Sequence, residues 1–110
     1  MTFDEYQKQA LKTAVRNPDP DMDKTIWAMG IAGEAGEVVE KWKKIMAYDK
    51  GVVSKDRLNE LAKEMADVVW YIAVFADSLG LSFESIMKQN LEKLKDREER
   101  NVIKGRGDNR

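Results

Sequence analysis

The chain has 110 residues, with 19 basic and 20 acidic side chains and a formal net charge of -1, so no overall field draws it to a nucleic-acid polymer or an anionic membrane. It has no cysteine and no histidine, which excludes disulfides, thiolate nucleophiles, the usual zinc sites and imidazole general bases. The longest apolar run, Val68 to Ala76, is too short to span a bilayer and the N-terminus is acidic, so the expected location is cytoplasmic.

Periodic apolar residues predict two helices in the first half of the chain. The first runs from Phe3 to about Arg16 and is stopped by the two prolines of the segment 17–20. The second runs from about Asp23 to Ala47 without an internal proline. Strand signals are almost absent from these residues.

Two more helices are predicted in the second half. Ser54 is a suitable N-cap for a third helix that runs to about Leu79, where Gly80 provides a left-handed stop. Ser82 opens a fourth helix that reaches about Arg100. Residues 101–110 are expected to form a flexible C-terminal tail. We therefore expect an all-α fold with one helical domain over residues 1–100.

The third helix carries an acid in an apolar setting. From Met65 to Ala76 every residue is apolar or aromatic except Asp67. A helix that is apolar all round is usually buried, and an ionised aspartate there is costly unless it is paired or binds a cation. Glu64 lies three residues earlier on the same face. The two acids therefore form a stripe that runs into the predicted core.

The second helix repeats this pattern. The stretch from Thr25 to Gly36 is apolar or small except for Glu34, and Glu37 follows on the same face. Each glycine inside a helix costs about 1 kcal/mol relative to alanine. The glycines beside these acids therefore indicate that another helix or a ligand comes very close.

Two acid pairs on neighbouring helices repel each other, and a hard divalent cation among them makes the arrangement favourable. Mg²⁺ is the expected cofactor, with Mn²⁺ as a substitute, because only oxygen ligands are offered. A di-iron carboxylate bundle is the nearest competitor, but its Glu-x-x-His pairs need histidine. Glu40 and Glu60 are interpreted as members of solvated faces.

A resemblance to a known family is carried by two motifs, Gly33 to Glu37 and Glu64 to Tyr71. They resemble the Glu-x-x-Glu and Glu-x-x-Asp motifs of MazG-type all-α nucleotide pyrophosphohydrolases. The likeness extends to Tyr6-Gln7, to Leu79-Gly80, and to Asn90 through Leu94 with Arg97, so it covers most of the chain.

The resemblance implies a four-helix bundle, assembled as a dimer or a tetramer, that hydrolyses a nucleoside triphosphate to a monophosphate and pyrophosphate. It places Glu34, Glu37, Glu64 and Asp67 around Mg²⁺. Water attack at the α-phosphorus also needs a general base, for which the sequence leaves Glu37 and Glu34 as candidates. The resemblance does not transfer a base preference.

Five further residues are candidates for substrate contacts. Asn90 interrupts the apolar stripe of the fourth helix and has Lys93 as its neighbour one turn on, so both are predicted to contact phosphate or metal; the alternatives are a core amide and a solvated lysine. Gln7 interrupts the stripe of the first helix and is assigned to a base edge. Tyr71 follows Asp67 by one turn and is assigned to the base, and Arg97 joins the set through the family resemblance.

Two other functions stay open. One is a phosphoribosyl-ATP pyrophosphohydrolase-like enzyme, which uses a similar acidic helical site. The other is a non-catalytic helical oligomerisation module whose acids pair with Lys43, Lys44 or Lys63 across an interface. A homo-oligomer is expected in either case, because four helices of this length cannot cover a third helix that is apolar all round.

Overall fold

The computed structural model describes all 110 residues and contains four α-helices and no strand. The helices are α1 (Phe3–Leu11), α2 (Pro20–Tyr48), α3 (Lys55–Ser78) and α4 (Phe83–Glu99). The prediction of an all-α fold with four helices is confirmed. No single helix is both long and apolar enough to cross a bilayer. The pair α3 and α4 together has the length and apolar content for this, but the two helices are bent by 105° at their junction.

The predicted boundaries between α1 and α2 are wrong. α1 stops at Leu11, because the Thr13 hydroxyl donates to the Ala10 carbonyl at 2.8 Å and accepts a hydrogen bond from the Trp70 indole at 2.9 Å, which turns the chain away. α2 begins early, at Pro20, with Asp19 as its N-cap. Proline suits the first position of a helix because it has no N–H that needs a partner there.

The predicted boundaries of α3 and α4 are confirmed by their caps. The Ser54 hydroxyl accepts from the Arg57 N–H at 3.2 Å, and the Ser82 hydroxyl accepts from the Ser85 N–H at 3.1 Å. Gly80 has a φ of 73°, in the left-handed region, and the N–H of Leu81 bonds back to Ala76 at 2.9 Å. This is the usual way in which a glycine ends a helix.

The long helices α2 and α3 are joined by a short loop and lie side by side as an antiparallel hairpin. α1 packs on α3, and α4 packs on α1 and the end of α3, while no Cα atom of α1 or α4 comes within 8 Å of α2. One small core joins the elements; its buried members are Ala10, Trp27, Ala73, Val74 and Phe83. Within one chain the helices therefore form an open arrangement and not a closed four-helix bundle.

The hairpin leaves much apolar surface exposed. Only 11 of 110 residues are buried, and the radius of gyration is 17.0 Å, against about 13 Å for a compact chain of this length. The expectation that α3 is buried all round is wrong for a single chain, because nothing in the chain covers the side of α3 that carries Met65, which is 53% exposed. The exposed apolar side chains of α2 and α3 include Met22, Ile26, Met29, Val39, Leu58 and Met65.

Close contact between α2 and α3 depends on Gly30. The ring of Tyr71 lies directly over Gly30, so that a Cβ atom at this position would overlap the ring. Trp70 packs edge-on against the same ring, with the two centroids 5.0 Å apart. Gly33 and Gly36 have no atom near the position of a Cβ, so within one chain only Gly30 meets the expectation of a close approach.

We predict that Gly30→Ala lowers the free energy of unfolding by about 2 kcal/mol, because overpacking against Tyr71 outweighs the gain in helix propensity. Gly36→Ala is the matched control and is expected to raise stability by up to about 1 kcal/mol, since it adds a methyl group in open space. Urea unfolding followed by circular dichroism measures both. Equal effects of the two substitutions would show that the contact between Gly30 and Tyr71 is unimportant.

Candidate metal centre

Three of the four predicted acids meet between α2 and α3. One carboxylate oxygen from each of Glu34, Glu64 and Asp67 lies within 4.8 Å of the others. Glu64 and Asp67 share a face of α3 because they are three residues apart, and the hairpin brings Glu34 of α2 opposite them. We call these three residues the acidic triad.

The triad lies at the surface of the single chain. Asp67 is exposed, and Glu34 and Glu64 are partly buried, so the predicted placement of Asp67 inside a core is wrong for the monomer. Between residues 62 and 67 only Glu64 is partly buried, so α2 is the only element that covers this stretch of α3. The acids are therefore open to solvent and to a ligand.

Glu37 lies beside the triad and is not a member of it. It follows Glu34 by about one turn of α2, and its side chain is exposed at the edge of a neighbouring cleft. Its charge nevertheless reaches Glu34, because it contributes to the raised pKa of that carboxyl group. The predicted quartet is thus a group of three acids with a fourth at its border.

Mutual repulsion acts on the carboxyl group of Glu34. Partial removal from water raises the pKa of the Glu34 carboxyl above its usual value, and the negative charges of Asp67, Glu64 and Glu37 raise this pKa further. A hydrogen bond between the carboxyl groups of Glu34 and Glu64 also favours retention of the proton. Without a counter-charge, Glu34 therefore holds a proton more tightly than an isolated glutamate does.

One lysine partly offsets this charge. The Nζ atom of Lys41 lies 3.5 Å from Oε1 of Glu64. Lys41 follows Glu37 by four residues, so it extends the functional face of α2 by one more turn. Lys41 is not among the site residues predicted from the sequence, although its spacing of four residues from Glu37 places it on the same face of α2 as the acid pair.

The donor set of the triad suits a hard divalent cation. All three groups are carboxylates, and no nitrogen or sulfur ligand is available, so the chemistry fits Mg²⁺ and does not fit the usual zinc or copper sites. Such an ion would relieve the repulsion among the three carboxylates. The residues that can hold it are Glu34, Glu64 and Asp67.

Tyr6 connects α1 to this region. Burial raises the pKa of the Tyr6 phenol, and the negative charge of Asp67 raises it further, so the hydroxyl lies within the electrostatic range of the triad. An apolar pocket of about 400 Å³ lies against the other side of Tyr6, with Phe3, Val69 and Phe83 among its walls. From the sequence, Tyr6 entered only through the family likeness at Tyr6-Gln7 and was assigned no role in the site.

Gln7 has a structural task, which corrects its assignment to a base edge. Its Nε2 atom donates to the carbonyl oxygens of Ala73 at 3.0 Å and Leu81 at 3.1 Å. Its Oε1 atom accepts from the N–H of Phe83 at 3.2 Å. The buried amide makes three hydrogen bonds to backbone groups, and these bonds tie α1 to the junction of α3 and α4. Its donor and acceptor groups are therefore engaged within the fold and are not available to a base.

Tyr71 is likewise occupied by packing. Its ring fills the space above Gly30 and packs edge-on with Trp70, so its contacts in the single chain are packing contacts. Its place one turn after Asp67 is as predicted, but its contact is with α2.

The three candidates on α4 lie apart from the triad, because α4 leaves α3 at a bend of 105° and does not approach α2. Asn90 is exposed. Arg97 is buried and donates to the backbone oxygen of Asp108 at 2.6 Å and to its carboxylate at 3.2 Å. Lys93 lies 3.3 Å from the same carboxylate. These bonds lower the pKa of Asp108, and they place the C-terminal segment against α4.

Comparison with known proteins agrees with this geometry. Residues 24–102 match the MazG nucleotide pyrophosphohydrolase domain family, a segment that holds the triad, Glu37 and the candidates on α4. The gene 37 protein of Mycobacterium phage L5 is 39% identical over 114 aligned positions, which cover 100% of both chains. An uncharacterised protein of Bacillus subtilis strain 168, YvdC, is 38% identical over 69 positions, which are 56% of this chain and 62% of that protein. No solved structure matches the chain significantly. With the family match spanning most of its length and the acidic motifs inside it, the chain belongs to the MazG nucleotide pyrophosphohydrolase domain family.

Proposed function

We propose that this protein hydrolyses nucleoside triphosphates to nucleoside monophosphates and pyrophosphate, with Mg²⁺ as its cofactor and the cytoplasm as its location. Family membership supports the reaction class. The observation that carries the proposal is the meeting of Glu34, Glu64 and Asp67 within 4.8 Å at the α2–α3 interface. Such a set can bind a polyphosphate through a shared cation.

The acids divide into two tasks. Glu34, Glu64 and Asp67 would hold the cation, which supplies charge neutralisation and polarisation of the α-phosphate when it is bound. Glu37, outside the triad but one turn from Glu34, is the acid that we assign to the attacking water. The water oxygen bonds to the α-phosphorus, its proton passes to the Glu37 carboxylate, and the bridging oxygen leaves with pyrophosphate.

We further propose that the active unit is a homo-oligomer, a dimer or a tetramer. A radius of gyration of 17.0 Å and a row of exposed apolar side chains on α2 and α3 support a second copy as the missing cover. Asp67 of the triad is exposed on the same stretch of α3 as Met65. Asn90 and Lys93, which are exposed and lie away from the triad of their own chain, are then assigned to the phosphates at a site shared between copies, while buried Arg97 holds the Asp108 carboxylate that Lys93 also contacts.

Product analysis tests the reaction directly. With Mg²⁺ and a panel of ribo- and deoxyribonucleoside triphosphates and phosphoribosyl-ATP, we expect pyrophosphate and a monophosphate as the first products. In water labelled with oxygen-18, the label is expected in the monophosphate, because attack is at the α-phosphorus. Asp67→Asn is expected to lower turnover by at least about a hundredfold while the protein stays folded.

Other product patterns would contradict the proposal. Orthophosphate with a diphosphate as first products would mean cleavage at the γ-phosphate. Label in the pyrophosphate would mean attack at the β-phosphorus. A preference for phosphoribosyl-ATP over every triphosphate would favour the more specialised enzyme of the same chemistry, and the absence of turnover on all substrates would favour an oligomerisation module.

The raised pKa of Glu34 predicts how metal-free stability depends on pH. The folded protein holds this proton more tightly than the unfolded chain, so the stabilisation is complete below the ordinary pKa of 4.5 and is lost as the pH rises through the higher folded value. Glu34→Gln removes this loss. We therefore expect the variant to melt above the wild type at neutral pH without Mg²⁺, with the difference shrinking in acid.

Melting temperatures between about pH 4 and about pH 8, with and without Mg²⁺, measure this difference. Mg²⁺ is expected to raise the melting temperature of the wild type and to have little effect on Glu34→Gln. Glu92→Gln, which removes an exposed acid of α4, is the control and is expected to show neither effect. A pH-independent difference between wild type and Glu34→Gln would contradict the electrostatic explanation.

Dilution tests the oligomer. Because the face beside the triad is uncovered in one chain, we expect specific activity to fall as the protein is diluted through its dissociation range. Light scattering gives the mass at each concentration, and Met65→Glu, which puts a charge on the exposed face of α3, is expected to move both curves to higher concentration. A monomer with undiminished turnover would disprove the coupling.

A further inference from the structure

A charged cleft of about 300 Å³ lies next to the acidic triad. It is formed by the C-terminal part of α2 and the N-terminal part of α3, and Glu37 is on its wall. Because Glu37 borders both the triad and the cleft, a ligand held at the triad can extend into this space. Seven of the nine residues that line the cleft are charged, so it suits a polar ligand.

Most of these charges are already paired inside the cleft. Arg57 lies 3.2 Å from Asp49 and 3.0 Å from Glu60. Glu40 lies 3.6 Å from Lys44, and 3.5 Å from Lys43, which is outside the cleft. These acids therefore have cations of their own and do not repel an incoming anion with their full charge.

Lys41 differs from the other cations of the cleft. Its ammonium group is paired with Glu64, an acid of the triad, and not with an acid of the cleft. Two thirds of the Lys41 side chain is covered, because 33% of it is exposed. If Glu64 holds a cation, this lysine loses its partner while remaining on the wall of the cleft.

We propose that the cleft receives the pyrophosphate leaving group and that Lys41 is the residue that binds it. This proposal rests on the proposed function and names where the β- and γ-phosphates lie. With Glu64 committed to a cation, the Lys41 ammonium turns to the phosphate oxygens, and it stabilises the negative charge that the leaving group gains as the bridging bond breaks. Lys44, one turn further along α2, lies on the same face and extends the site.

This exchange predicts two opposite effects of one substitution. In the absence of phosphate, Lys41 repels a divalent cation and competes for Glu64, so Lys41→Met is expected to bind Mg²⁺ more tightly than the wild type. In the presence of Mg²⁺, the same variant lacks the ammonium group that holds phosphate, so its affinity for pyrophosphate is expected to fall by about tenfold. A residue with a purely structural role would weaken both affinities together.

Isothermal titration calorimetry on the full chain measures these affinities. Mg²⁺ is titrated alone, and inorganic pyrophosphate and a nucleoside monophosphate are then titrated separately at saturating Mg²⁺. Lys24→Met is the matched control, since Lys24 is also on α2, is 39% exposed and pairs with Asp21 but does not line the cleft. It is expected to leave all three affinities unchanged. Lys41→Arg keeps the charge and is expected to retain most of the pyrophosphate affinity.

The outcomes separate this proposal from the proposed function. Unchanged pyrophosphate affinity in Lys41→Met, or a parallel loss of Mg²⁺ and pyrophosphate affinity, would overturn the role of Lys41 even if the wild type is an active pyrophosphohydrolase. A loss of monophosphate affinity equal to the loss of pyrophosphate affinity would place Lys41 at the α-phosphate and would also overturn it. If the wild type releases no pyrophosphate from any substrate, the proposed function itself fails. If Lys41→Met does not fold, full pyrophosphate affinity in Lys41→Gln overturns the proposal and a tenfold loss supports it.

Discussion

Repulsion among carboxylates at the interface of α2 and α3 is the constraint on which the rest of the structure depends. Glu34, Glu64 and Asp67 lie within 4.8 Å of one another, and the raised pKa of Glu34 records the unfavourable field that they produce. Like charges separate unless other contacts prevent it. The packing of α2 against α3 supplies those contacts, and the close approach of Tyr71 to Gly30 sets the distance between the two helices beside the acids.

The triad lies between two anchored ends of the hairpin. At one end, Trp27, Val74 and Phe83 belong to the small core that α1 and α4 complete, and the buried Gln7 amide locks α1 to that core. At the other end, buried Ile45 and the ion pair between Arg57 and Asp49, the C-cap of α2, hold α2 to the start of α3. A rigid frame on both sides lets the centre of the hairpin keep charges that would otherwise push it apart. Such preorganisation allows a site to bind a cation without rearranging.

The same hairpin explains why catalysis and assembly are connected in our proposal. α3 needs apolar residues on one side to pack with α1 and α2, and it has apolar residues on the opposite side as well, of which Met65 and Leu58 stay exposed. Two faces of α3 are thus apolar, and the other helices of the single chain cover only one of these faces. Asp67 is exposed on the same stretch of α3 but on the other side of the helix from Met65, so a second copy would close the site only if it wrapped around this stretch.

The sequence by itself determined the number of helices, the caps at Ser54 and Ser82, and the pairing of acids within each helix, because these depend on spacing and on residues a few positions apart. It also determined the family, since both acidic motifs are contiguous. It was wrong about the start of α2 at Pro20, where the same residue type can end one helix or open the next.

Tertiary structure decided which polar residues are available for function. Gln7 and Asn90 interrupt apolar stripes in the same way, yet the Gln7 amide is buried among three backbone groups and Asn90 is exposed. Lys41 reads as one of several lysines in a charged stretch, and only the position of α3 shows that its partner is Glu64. Helical periodicity tells which residues share a face, but which neighbour covers that face depends on contacts between residues far apart in the chain, and local spacing carries no information about them.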